Sequence, residues 1–313
     1  MQSKHPLLKY AVFLGIVAAG IGLSLLTAPS QRRTRVQWPV MGTVAGLVFR
    51  GGDAAKHEKA RACAQKTWDT LDQRLSAWRA DSELCRLAPR LAAIGSAALP
   101  EVPADVRPCY AFAFDLQRQS GGAFSPVIGE ALQRIGFSRL SPVDLGAVAK
   151  GFAVDVAYEA LNDDCDMLLD LGGNLRARAG TWRTGVRDPF HSGEHLAAFD
   201  LKPGEAVATS GNYERFLERD GKRVSHILDA RTGQPVAGIA GVTVLAGTAM
   251  LADGLSTTLF VLGPEDGTAF LKRHYPGTAA LWIPDAPDKP VLKATIAMAI
   301  RLIDPKCPVS VLR

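Results

Sequence analysis

The segment that most restricts the fold is TAMLADGLSTTLFVLG, residues 248–263. Its apolar residues recur at helical spacing, and Leu251, Leu255, Leu259 and Leu262 are placed to pack a helix into a core. One acid, Asp253, and three hydroxyls, Ser256, Thr257 and Thr258, interrupt it. Asp253 and Thr257 stand four residues apart, so they project from the same face, one turn apart. Two readings fit that spacing. A carboxylate and a hydroxyl converging on one side are hard oxygen ligands of the type magnesium prefers. Alternatively the face is solvated and its hydroxyls bond backbone carbonyls. Gly254 costs the helix roughly 1 kcal/mol relative to Ala, which is easier to accept where something approaches closely.

The other candidate segments are glycine corners. LGAVAKG (145–151) reads as a tight turn entering a helix, where backbone N–H groups suit a phosphate. Lys150 is in reach of such a phosphate, and Asp144 is placed to accept from a ribose or base. The segment lacks the GxxxxGK[ST] pattern of a Walker loop, and a structural turn with a surface Lys fits it equally. DLGGN (170–174) and TSGNY (209–213) are further corners at strand ends. SHILDARTG (225–233) places His226 in a strand before a turn. His191 and His195 are four apart, but Pro189 and Gly193 argue against helical metal-ligand geometry. RAR (176–178) reads as a solvated strand face.

Charge narrows the function classes. The formal net charge is +5, yet residues 1–50 contain Lys4, Lys9, Arg32, Arg33, Arg35 and Arg50 and no acid. The rest is close to neutral and has no basic field suited to nucleic acid. Lys4 and Lys9 precede an uncharged apolar run, Tyr10 to Leu26, about the length of a short membrane span. The expectation is export to the periplasmic side of the inner membrane, by a cleaved signal or an uncleaved anchor at residues 1–30. The first cysteine is Cys63, so there is no lipobox and no lipoprotein. The five cysteines show no C-x-x-C spacing, and an odd count argues against a disulfide framework.

Along the chain, residues 31–39 read as a polar linker and Thr43–Phe49 as a strand. Residues 54–75 read as a long helix, and 109–119 as a second helix stopped by Gly121-Gly122. Residues 143–161 read as a short strand, a glycine turn and a helix. A strand, a Gly-Gly corner and a strand follow at 167–179. A hairpin turns at RDGK, and VTVLA (242–246) leads into the long apolar helix, stopped by Gly263-Pro264. Mixed helices and hairpins imply an α+β fold.

The order of the motifs is more specific than any one of them. MGT (41–43), SAWRADSEL (76–84), GGAFSPVIG (121–129), VDLGAVAKGFAVD (143–155), LGGN (171–174), WRTGVRDP (182–189), ATSGNYERF (208–216), DGKRVSHILDARTGQPV (220–236) and VTVLAGTAMLADGLSTTLFVLG (242–263) follow one another in this chain. That succession resembles the ApbE family of FAD:protein FMN transferases, from about Val40 to Gly263. The resemblance implies a single T-fold-related body over residues 40–313. It implies a magnesium-dependent enzyme that cleaves FAD, releases AMP and joins FMN to a Thr or Ser of an exported or membrane-bound electron-transfer protein. Carried over, the magnesium ligands are Asp253, Thr257 and an oxygen of Ala147, its backbone carbonyl. Met41, Ser76, Ala77, Trp78, Gly122, Ala123, Phe124, Asp144, Lys150 and Ile227 match FAD-contacting positions, and His226 matches the candidate catalytic His. Two alternatives use the same residues: an FAD pyrophosphatase, or a non-catalytic flavin-binding protein. The chain departs from the family pattern in SAW for Ser-Thr-Tyr/Phe, in Asn174 and Asn212 for common acids, and in a short segment between Ile135 and Val143.

Overall fold

The computed structural model describes residues 33–161, 165–214, 216–219, 222–288 and 290–312. The apolar run from Tyr10 to Leu26 lies outside them. Among the described residues no helix is long and apolar enough to cross a membrane.

A nine-stranded sheet forms the middle layer. In spatial order it comprises β1 (Arg33–Val40), β2 (Thr43–Arg50), β3 (Met167–Leu171), β4 (Asn174–Ala177), β7 (Ala206–Gly211), β12 (Ile239–Ala246), β13 (Ala279–Pro284), β14 (Leu292–Thr295) and β15 (Val309–Leu312). All neighbours are antiparallel except β14 and β15. One face is covered by α1 (Ala54–Leu75), α2 (Glu83–Ile94), α3 (Arg107–Gln119), α5 (Ala149–Ala160) and α6 (Ala249–His274), which enclose the larger apolar core. The opposite face packs on a hairpin of β5 (Trp182–Arg187) and β6 (His195–Leu201) with the short α7 (Ile296–Ala299). The remaining short elements are α4 (Gly129–Arg134), the hairpin of β8 (Phe216–Arg219) with β9 (Lys222–Ser225), and the pair β10 (Leu228–Asp229) and β11 (Gln234–Pro235). The α+β expectation holds.

Several local expectations need correction. The segment expected as a linker carries the edge strand β1, in register with β2 from Arg33↔Arg50 to Val40↔Thr43. Its alternation of charged and apolar residues is that of an edge strand with one solvated face. Residues 143–145 do not form a strand; Val143 and Leu145 are buried in an irregular approach to the turn at 146–148. Gly263 does break its helix (φ 77°), but helix resumes at Pro264 and runs to His274. Proline suits the first position of a new helix as well as it ends an old one. The hairpin at 216–225 is present as β8 and β9; its turn, 220–221, lies outside the described residues.

Met41 and Gly42 form the two-residue turn between β1 and β2, both at positive φ (51° and 66°). Gly172 and Gly173 do the same between β3 and β4. This is the type I′ pattern, which matches strand twist but penalises a side chain. Met41 therefore holds a conformation that glycine or asparagine adopts more readily. Met41→Asn is expected to stabilise the protein by about 1 kcal/mol in urea unfolding.

Candidate functional site

The site is built where α5 and α6 cross. Gly151 makes the crossing possible: a Cβ there would lie 2.2 Å from the Ala249 carbonyl oxygen. With the two backbones in contact, the Asp253 carboxylate reaches α5. Its Oδ2 accepts the Gly151 N–H at 2.9 Å, and Oδ1 lies 3.5 Å from the Lys150 ammonium. Lys150 Nζ also donates to the Gly146 carbonyl at 2.8 Å. The ammonium thus stands between a turn carbonyl of the LGA segment and the Asp253 carboxylate. Asp253 is only 5 % exposed. Burial pushes its carboxyl above the usual range, opposed by Lys150 and the Gly151 N–H. A carboxylate desolvated to this extent favours a nearby cation.

The hydroxyls of α6 take distinct roles. Ser210 on β7 joins them: its Oγ lies 2.7 Å from Ser256 Oγ and 3.0 Å from Thr257 Oγ1. Ser256 donates to the Asp253 carbonyl at 2.8 Å and Thr258 to the Gly254 carbonyl at 2.8 Å. Both are buried. Ser256 and Thr258 therefore bond backbone carbonyls, as one sequence reading of the helix proposed. Asp253 is not on a solvated face. Gly254 does admit a close neighbour, but it is the core: Phe112, Leu116 and Val148 crowd its missing Cβ.

The LGA turn links this centre to a second group. Asp144 Oδ1 accepts the Gly146 N–H at 2.7 Å, and Oδ2 is held by the Arg139 guanidinium in a buried ion pair. Arg139 in turn lies 4.2 Å from the Trp78 ring centroid, and the Leu140 N–H bonds the Ala77 carbonyl at 2.8 Å. Trp78 remains 43 % exposed. Ser76 and Ala77 are buried, and Ser76 Oγ accepts the Trp78 N–H at 3.3 Å. The short Ile135–Val143 segment is thus folded onto the SAW motif by Arg139 and Leu140. Asp144 already has partners on both oxygens, so a ribose would have to share it. The turn N–H groups of Gly146, Val148, Ala149 and Gly151 are likewise bonded within the protein. Lys150 is consequently the group at this turn with charge to offer a phosphate.

The GGAF loop closes the other end. Gly121 and Gly122 sit at positive φ after α3, and Phe124 N–H bonds Ser120 Oγ at 3.1 Å. The Ala123 carbonyl accepts the Ala230 N–H at 3.2 Å, and the Pro126 carbonyl accepts the Asp144 N–H at 2.8 Å. Ala123 and Phe124 are buried, so what this loop shows to a ligand is mainly backbone and Gly122. The loop therefore connects the Asp144 group to the turn following His226 and Ile227. His226 lies in a bend just after β9 rather than in a strand, half-buried, with its ring 6.2 Å from Phe137 in an edge-on contact. Ile227 is buried, its N–H bonded to Ser225 Oγ at 3.1 Å. Met41 lies apart from these groups in sequence; two residues on, Thr43 approaches the Gly172–Gly173 corner, where its Oγ1 fills the space of a Gly172 Cβ.

Four participants escaped the sequence reading: Asp155, Arg176, Arg139 and Ser210. Arg176 is not solvated; it is buried, bonds Asp155 Oδ1 at 2.9 Å and lies 3.7 Å from the Tyr158 ring centroid. The one available signal was the spacing of Gly151 and Asp155, four apart on one face of α5. His191 bonds Asp188 at 3.0 Å, and no cluster of three or more His, Cys, Asp or Glu side chains occurs among the described residues. All five cysteines are free thiols, with Cys109 fully buried.

Comparison with known proteins places this geometry in a family. The FAD:protein FMN transferase of Rhodobacter capsulatus is 32% identical over 300 residues, covering 82% of this chain and 56% of that protein. That of Treponema pallidum (strain Nichols) is 39% identical over 179 residues, 52% of this chain and 49% of the relative. The chain thus spans about half the length of these two relatives. The crystal structure of an ApbE protein from Thermotoga maritima superposes with a TM-score of 0.73 at 22% identity, over 86% of this chain and 99% of that one. The ApbE family model matches residues 41–142 and 139–282, a span that holds Asp144, Lys150, His226, Asp253 and Thr257. The chain belongs to the ApbE family.

Proposed function

We propose that this protein is a magnesium-dependent FAD:protein FMN transferase. It would move FMN from FAD to a Thr or Ser hydroxyl of an acceptor protein and release AMP. The observation that carries the reading is the buried Asp253 carboxylate, which stands 3.5 Å from a Lys150 ammonium that also bonds the Gly146 carbonyl of the LGA turn. Family membership supplies the substrate.

The donor set fits magnesium. It offers one carboxylate, a hydroxyl and the carbonyls of the LGA turn, all hard oxygens, and magnesium commonly completes such a set with water and phosphate oxygens. Asp253, Thr257 and the Ala147 carbonyl would hold the ion. When bound, it would neutralise charge on the pyrophosphate and on departing AMP.

The chain's own groups do the rest. Lys150 is positioned to leave its carbonyl partner for a phosphate oxygen. Trp78, backed on one side by Arg139, offers an exposed aromatic surface for a ring of the dinucleotide. In the transfer step the acceptor oxygen bonds to the FMN phosphorus as the bond to the AMP oxygen breaks. His226 takes the hydroxyl proton in this scheme. A Thr or Ser hydroxyl is a weak nucleophile without such a base.

His226→Gln is expected to lower transfer by about 10²–10⁴-fold and leave FAD affinity unchanged. Equal losses in rate and affinity would reassign His226 to binding. Incubation with FAD, magnesium and a candidate acceptor, followed by mass spectrometry, tests the whole reading. A Thr or Ser gaining FMN, with AMP release dependent on acceptor, is the expected result. Sustained AMP release without acceptor would make the enzyme a pyrophosphatase. FAD binding with no AMP under any metal condition would make it a flavin carrier. The acceptor fits an exported or membrane-bound electron-transfer protein, with residues 10–26 bringing this chain to the periplasmic side of the inner membrane.

A further inference from the structure

The candidate magnesium ligands come from different elements, so the site depends on the rotation and height of α6 against α5. Gly151 sets the distance of closest approach, and Asp155 lies four residues later on the same face of α5. Asp155 Oδ1 accepts the N–H of Ala249 and Oδ2 that of Met250, both at 2.8 Å. These are the first two N–H groups of α6. The helix also carries an ordinary cap, Thr248, whose Oγ1 accepts the Leu251 N–H at 3.3 Å. A local cap is the usual solution for a helix start. Here a partly buried carboxylate from another helix, some ninety-five residues earlier in the chain, is added to it.

That arrangement is expensive on its own terms. Burial raises the Asp155 carboxyl above its ordinary range, opposed by the two N–H groups and Arg176. Arg176 reaches it from β4 at 2.9 Å. A buried ion pair contributes little net stability against apolar packing, but it fixes geometry, because each partner tolerates few positions. The Asp155 bonds define both the azimuth and the axial position of the α6 start. Asp253 and Thr257 follow one and two turns later on that helix.

We infer that Asp155, anchored by Arg176, is a positioning residue for the cation site: it locks the start of α6 to α5 so that Asp253 and Thr257 face the Gly146–Ala147 turn. The inference rests on the magnesium reading proposed above. Partners that orient a metal's ligands typically contribute about 10- to 100-fold in affinity.

The test uses Mn²⁺ as a paramagnetic probe, titrated into the full-length protein with FAD and followed by electron paramagnetic resonance. Asp155→Asn keeps the shape but offers one N–H an amide in place of an oxygen. Mn²⁺ affinity is expected to fall about tenfold, while FAD affinity without metal, read by flavin fluorescence, is unchanged. Thr268→Val serves as the structural control. It removes a buried hydroxyl bond to the Pro264 carbonyl in the second half of α6 and is expected to leave Mn²⁺ affinity intact. Wild-type Mn²⁺ affinity in folded Asp155→Asn overturns the inference alone. No Mn²⁺ binding by the wild type with FAD overturns the magnesium reading and this inference with it. If Asp155→Asn does not fold, Arg176→Gln carries the expectation, Mn²⁺ binding measurably weaker than wild type. Unchanged affinity in that variant overturns the inference.

Discussion

Asp253→Asn is expected to lower the proposed magnesium-dependent FMN transfer by about 10²–10³-fold and to leave the protein folded. Asparagine keeps an oxygen for the Gly151 N–H and removes the charge that a cation requires. Lys150 retains its bond to Gly146 and is partly exposed, so losing its anionic partner does not strand a buried charge. Stability is expected to rise slightly at neutral pH without metal, and the sign follows from burial. The folded state raises the Asp253 carboxyl above its unfolded value. The ionised group therefore disfavours folding once pH exceeds the unfolded carboxylate range, about 4. Its favourable contribution is complete below that range and is lost as pH rises through the folded value. Urea unfolding of wild type and variant at pH 3.5 and pH 7.5 checks this: the variant's advantage should appear only at the higher pH. Full transfer activity in Asp253→Asn would remove Asp253 from the cation site.

Gly151→Ala is expected to destabilise the protein by about 3 kcal/mol, the upper end for overpacking. The added Cβ would meet the Ala249 carbonyl at 2.2 Å and its carbon at 2.6 Å. Both are backbone atoms, so no side chain can swing aside. The helices must separate, and three bonds stretch together: Gly151 N–H to Asp253, and Asp155 to Ala249 and Met250. Metal-supported activity should fall with stability. A midpoint shift equivalent to less than about 0.5 kcal/mol, the scatter of surface substitutions, would show that the crossing is softer than its geometry implies.

Much of the secondary structure was legible from local pattern. The helix at 54–75 is found as Ala54–Leu75, capped by Asp53, whose carboxylate accepts the Lys56 N–H. The Gly-Gly corner at 172–173 needs positive φ at both residues, which glycine alone offers freely. β1 was misread because Arg33 and Arg35 resemble linker residues until β2 is seen beside them. Sequence alternation puts His226 in a strand because it cannot tell the last strand residue from the bend that follows.

That Asp253 and Thr257 share a helix face, and that a glycine turn precedes Lys150, can be read from the chain alone. These relations follow from the helical repeat and from glycine's conformational range, which are local properties. Which faces meet is a matter of three-dimensional packing. It turned Asp253 toward Gly151 across 102 residues, brought Asp155 to the start of α6, set Ser210 against Thr257, and gave Asp144 to Arg139. Those pairings depend on the crossing of two helices over one sheet and on which buried charges find partners there. No periodicity in the chain encodes that choice, because it is made by packing.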